Sequence, residues 1–251
     1  MKKLLGLVIS LVIFFSLVLA VSAQGFPEIP EKNGDYQDPG HPGVRVRVFV
    51  HEPKEKPGSS VSAVCTADPN TFVSTVGATG WKLPSTNWTY RINPSSVPSS
   101  VGGANLGTIA SSGFNAWTNS ISSSSKPTLV PSDTTNKTKS AYDGQNIIAW
   151  GRTSGNALAV TYTRYYTSTG LVVDVDTIMN LKFPWTLNTC SVNAYDAADI
   201  LTHEQGHWFG LNDEYASGYV DDTMYGYGSK AETKKITPES GDKTGINAIY
   251  H

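Results

Sequence analysis

Thr202-His203-Glu204-Gln205-Gly206-His207-Trp208-Phe209-Gly210-Leu211-Asn212-Asp213-Glu214 organises the rest of the chain. On a helix, His203 and His207 stand one turn apart on a single face. Two imidazoles so placed aim one nitrogen each at a shared ion, at roughly 2.0–2.1 Å for zinc. Glu204 lies beside the first ligand and is free to take a proton from a water that the ion polarises. Three protein ligands leave one position open for that water, so the pattern asks for one more ligand. Asp213 is the candidate. Gly210 has no Cβ and can end the helix in a left-handed conformation, after which Leu211-Asn212 bring Asp213 under the same ion. Glu214 is its nearest competitor. A helix with two incidental histidines has no need of a glycine and an acid at these offsets, and the metal reading outweighs it.

The 251 residues suffice for one sizeable domain with an N-terminal extension. A hydrophobic share of 39% and a charged share of 16% suit a globular protein. Formal charge is −2, or −4 once Lys2 and Lys3 leave with a leader. No basic run or patch appears, so no nucleic-acid partner is expected. Lys2-Lys3, the apolar Leu4 to Ala20 and the small residues Val21-Ser22-Ala23 read as a signal peptide over 1–23. The apolar run is also about long enough to span a bilayer, and the small-residue site decides for cleavage. The product is then a secreted, extracellular protein with no membrane partner, expected to be a monomer. In that setting the two cysteines, Cys65 and Cys190, form an intramolecular disulfide. The alternative makes Cys65 a latency ligand, and its neighbours give that no specific support.

Residues 24–78 are rich in Pro, Gly and charge and read as a linker or prosegment. Val44 to Val50 alternates and predicts one edge strand, while His41 and His51 lack a paired ligand motif and are expected to be solvated. The compact part spans 79–251. Strands are predicted at 88–92, 146–150, 157–164 and 171–180, and a helix at 102–119 whose Leu106, Ile109, Ala110, Phe114 and Trp117 face a core. Asp174 and Asp176 share one strand face, where Ca2+ is a candidate and a solvated face the stronger reading. The metal helix is predicted over 194–209. A last helix is predicted over 238–249, with Thr237 as N-cap and Pro238 at its first position.

His203-Glu204-x-x-His207-x-x-Gly210-x-x-Asp213 resembles the zinc motif of the metzincin metallopeptidases, most of which carry His at the last of these positions. Asp222-Thr223-Met224-Tyr225-Gly226-Tyr227 looks like their Met-turn, in which Met224 would lie beneath the metal. Within that family the chain is most similar to the matrixin-like group: Thr89 to Asn93 looks like a first strand, Phe114 to Trp117 like the end of a first helix, and Ile236 to Tyr250 like a last helix. The likeness covers about residues 80–250. It implies an α+β fold: a twisted mixed sheet packed with three helices, and an active-site cleft between a larger N-terminal and a smaller C-terminal subdomain. Departures are Asp213 itself, the lack of a matrixin-type cysteine switch, and the lack of histidines for a second, structural zinc.

The expected activity is that of a secreted zinc endopeptidase acting on protein or peptide substrates. His203, His207 and Asp213 hold zinc, and Glu204 is the catalytic base. A second enzyme class with HExxH takes a downstream Glu as ligand, for which Glu232 and Glu239 are available but poorly placed. The alternative from outside enzymes is a surface or adhesion module with a structural zinc. A closed structural site needs a fourth protein ligand, and no Cys or His nearby supplies one.

Overall fold

The computed structural model describes residues 28–54 and 74–251. The expected signal peptide and Cys65 lie outside them. Cys190 is disulfide-bonded, and its pairing with Cys65 likewise lies outside the described residues.

The fold is α+β, a mixed sheet with three helices. In chain order come β1 (Gly34–Gln37), β2 (Val44–Pro53), β3 (Asn87–Ile92), α1 (Leu106–Ser120), β4 (Thr128–Pro131), β5 (Ile147–Gly151), β6 (Ala159–Tyr166) and β7 (Val172–Asn180). Then follow the short β8 (Trp185–Thr186) and β9 (Tyr195–Asp196), α2 (Ala197–Trp208), β10 (Tyr227–Gly228) and α3 (Ser240–Ile249). The sheet order is β1-β2-β6-β7-β5-β3-β4, with β10 added against β2. β4, β3, β5 and β7 run parallel, and β6 turns antiparallel to β7. β5 is apolar and buried at every residue, as a strand covered on both faces must be.

The predicted stripe of α1 is buried against α2 and the sheet, where Phe114 meets Tyr90 and Trp208. Truncating such an aromatic to Ala costs about 3–5 kcal/mol. α2 begins later than predicted because Tyr195–Asp196 pair with β8. Asp196 is its N-cap, accepting from the N–H groups of Ala198 and Asp199 at 2.9 and 3.1 Å. α3 also starts late, at Ser240, with Glu239 rather than Thr237 as N-cap. The carboxylate of Asp242 takes the Glu239 N–H at 2.8 Å and so fixes the first turn there.

Three expectations are corrected. The strand at 44–50 forms, as β2, but it is no edge: it pairs with β1 on one side and β6 on the other. Val46, Val48 and Val50 pack with Val160, Tyr162 and Ile178 on one face, and Phe49 joins the main core on the other. His51 is consequently buried, not solvated. Asp174 and Asp176 are buried as well, because residues 140–147 close over them. The cation beside them is Arg164, whose Nη1 donates to Asp174 at 2.8 Å and to Asp176 at 3.3 Å. Among the described residues no helix is long and apolar enough to cross a membrane.

Candidate metal centre

α2 is anchored to α1 by two hydrogen bonds. Trp117 Nε1 donates to the Thr202 carbonyl at 2.7 Å, and Gln205 Nε2 to the Ala110 carbonyl at 2.8 Å. At Gly206 a Cβ would collide with Met224 Sδ, so only glycine lets Met224 lie directly against the helix. Met224 is itself fully buried. The Asp242 carboxylate accepts from the N–H groups of Thr223 and Met224 at 2.8 and 3.1 Å, which ties this turn to α3. Gly210 has φ 101°, a left-handed value, and the chain reverses there. Asp213 returns to the helix face as a result.

The structure brings His203, His207 and Asp213 together. Asp213 Oδ1 lies 3.0 Å from His203 Nε2 and 3.4 Å from His207 Nε2. His203 Nδ1 contacts the Thr223 carbonyl at 2.7 Å and His207 Nδ1 the Leu211 carbonyl at 2.9 Å. A carbonyl only accepts, so each Nδ1 carries a proton, and in the neutral ring Nε2 presents a lone pair. Both Nε2 atoms and Asp213 Oδ1 are buried without a hydrogen-bond partner. These three atoms lie within 4.8 Å of one another and could hold a cation between them.

In the metal-free chain part of that positive charge comes from within the cluster. Burial pulls the His203 imidazole down to about 4, so it is neutral near pH 7. Burial opposes the charge of Asp213, but the two imidazoles more than offset it and hold the carboxyl well below its usual range. Burial also pulls His207 down, and the Asp213 carboxylate more than compensates, so His207 is raised. Two imidazole nitrogens and one carboxylate form a donor set suited to zinc with a position left open. The imidazole tautomers are fixed by backbone carbonyls, the outer support such ligands require.

Glu204 is fully buried beside this cluster. Its Oε2 accepts from the Thr161 hydroxyl at 2.6 Å. Thr161 and Thr177 hydroxyls are 2.7 Å apart, and Trp208 Nε1 donates to the Thr177 hydroxyl at 2.9 Å. The relay runs one way, from the indole through two threonines to the carboxylate. Burial raises Glu204 to about 7, with the His207 charge and the Thr161 hydroxyl pulling the other way. A carboxyl poised there gives and takes a proton readily near neutrality.

The competing acids point elsewhere. Glu214 Oε1 accepts from the Gly77 N–H at 2.8 Å, and Glu232 Oε2 from the Ser229 N–H at 2.9 Å. Two residues at the centre carry no motif signal. His51 Nδ1 lies 3.1 Å from Glu204 Oε1, and the His51 ring lies over His203 with centroids 3.9 Å apart. The Phe49 ring stacks on His207 at 3.7 Å and 7°. The alternation at 44–50 reaches Phe49 and stops short of His51, which β2 carries onto the same face. In comparisons with known proteins, the chain matches no family model and no curated protein.

Proposed function

We propose that this chain is a secreted zinc-dependent endopeptidase of the metzincin type, matrixin-like in its catalytic part. The observation that carries the reading is the convergence of His203 Nε2, His207 Nε2 and Asp213 Oδ1 beside the buried Glu204. The antiparallel β6 after four parallel strands, the reversal at Gly210 and Met224 beneath α2 support it further. Bound zinc supplies a Lewis acid that acidifies water and polarises a peptide carbonyl. His203, His207 and Asp213 hold it. Glu204 takes the proton of the attacking water on a carboxylate oxygen and passes it to the departing amine. Thr161 keeps Oε2 in place while this happens.

One observation favours a second reading. His203, Glu204 and His207 have no exposure, as a structural zinc pin would require. The test is hydrolysis of an unfolded protein by the full chain and by Glu204→Ala, with zinc content measured in both. The peptidase reading expects about one zinc per chain in each and a rate roughly 10²–10⁴-fold lower in the variant. Zinc in both with no cleavage by either, even after β2 has been displaced, establishes the pin.

A further inference from the structure

β2 contributes directly to the burial of the site. Phe49 and His51, neighbours on one face of β2, cover His207 and His203. A peptide to be hydrolysed must reach the same atoms. β2 runs antiparallel to β6, from Val44 opposite Tyr166 to His51 opposite Ala159. It then runs parallel to β10, with Glu52 opposite Tyr227 and Pro53 opposite Gly228. An extended chain is thus gripped between the sheet and the segment that follows Met224. Pairing of this kind reads backbone N–H and C=O groups and accepts other sequences in the same place.

The His51 side chain fills a pocket under this strand. A Cβ on Gly228 would meet His51 Nε2 at 3.1 Å, and Ile200 and Leu158 each at 2.7 Å. The pocket wall is therefore apolar on that side. Its floor is Lys235, which is completely buried. An ammonium has three N–H bonds. Lys235 Nζ gives one to the Tyr225 carbonyl at 2.6 Å and one to the Tyr227 carbonyl at 2.7 Å. His51 Nε2, at 3.4 Å, faces the third. With Nε2 accepting from Lys235, His51 Nδ1 carries the ring proton and donates to Glu204 Oε1.

We propose that β2 lies in the place of a substrate strand, and that Lys235 selects, at the position held by His51, a side chain with a hydrogen-bond acceptor at its end. The inference rests on the peptidase reading. When β2 leaves, the third N–H of Lys235 loses its acceptor in an apolar-walled pocket. A substrate that restores the acceptor is favoured over one that leaves the donor buried and unpaired, by about 10-fold or more.

The experiment uses the full zinc-loaded chain. Phe49→Pro places a residue without an N–H in the middle of β2 and removes the ring over His207. His51→Ala empties the pocket and removes the ring over His203, which weakens the hold on β2, and it decides the matter if circular dichroism shows the proline variant unfolded. Both are expected to cleave an unfolded protein at least about 10-fold faster than the parent. Amides of 159–166 should exchange faster in Phe49→Pro, and those of α2 should not. Cut sites mapped by mass spectrometry in the His51→Ala chain should be enriched in acceptor side chains at the matching position. Lys235→Met should erase the enrichment, and Lys235→Arg should keep it.

Folded variants no faster than the parent overturn the placement of β2. Cut sites without the enrichment, or enrichment that survives Lys235→Met, overturn the role of Lys235. The peptidase reading survives either result if cleavage still requires Glu204. A zinc-loaded chain that never cleaves, with β2 in place or displaced, removes the peptidase reading and this inference with it.

Discussion

Two buried charged clusters lie on opposite faces of β6 and β7, and they balance their charges differently. On one face Arg164 stands among Asp38, Asp174 and Asp176, donating to Asp38 at 2.9 Å as well as to the other two. Backbone N–H groups of Ala141, Gly144 and Ile147 supply further donors. That cluster contains its own cation. On the other face His203, His207 and Asp213 turn three acceptors toward one another and meet no donor. A buried cluster that holds its own cation serves as a structural joint, and we propose that convergent acceptors without one take a cation from outside.

The largest effect that can break this comparison is Arg164→Met. It strands buried carboxylates without their cation and should cost roughly 3–5 kcal/mol in urea unfolding. Zinc content should be unchanged, since Arg164 pairs with Asp38, Asp174 and Asp176 and not with the proposed ligands. A loss of zinc together with the stability would show that the two clusters are not separate. Next in size is metal removal. At zinc near one hundred times its dissociation constant, binding stabilises the fold by about 2.7 kcal/mol. Chelation should lower the parent's thermal midpoint accordingly and leave His207→Ala where it was. An equal drop in that variant would place the metal elsewhere.

A third effect is in pH dependence, where the clusters have opposite signs. Burial lifts Asp174 to about 6, and burial with the neighbouring carboxylate lifts Asp176 to about 8, against an ordinary value of 3.8. The two titrate as a pair. The folded state therefore holds protons that the unfolded chain has released, and this contribution to stability falls as pH rises from about 4 to about 8. Asp213 is held below its ordinary value, so its contribution is present above that value and is lost as pH falls through the folded one. Asp176→Asn should flatten the stability profile between pH 4 and 8, measured on the metal-free chain. A slope unchanged by that substitution would contradict the assignment.

What the sequence made legible follows how locally each feature is encoded. The face shared by His203 and His207, the reversal at Gly210 and the return of Asp213 depend on about a dozen consecutive residues, and each is present. The stripe of α1 and the apolar β5 are local patterns of the same kind. β2 is different. Its alternation was visible, but whether it is an edge depends on β6, more distant in the chain, whose Val160 and Tyr162 receive its valines. Pairing with a distant strand leaves no mark in either strand alone, so His51 read as a solvated histidine in a Pro-rich segment. Asp174 and Asp176 misled for the same reason. Their alternation is that of a strand with a wet face, and the residues that cover them, 140–147, resemble any polar loop. The N-cap of α3 was misplaced because Asp242 serves the Met224 turn as well as the helix.

The central claim is that Asp213, with His203 and His207, holds the metal. Its most direct test is elemental zinc content after gel filtration of the full chain, Asp213→Ala and Glu214→Ala, each exposed to the same zinc. About one zinc per chain in the parent and in Glu214→Ala, with almost none in Asp213→Ala, is the predicted result. A parent without zinc, or an Asp213→Ala chain that keeps it as firmly as the parent, would contradict the account.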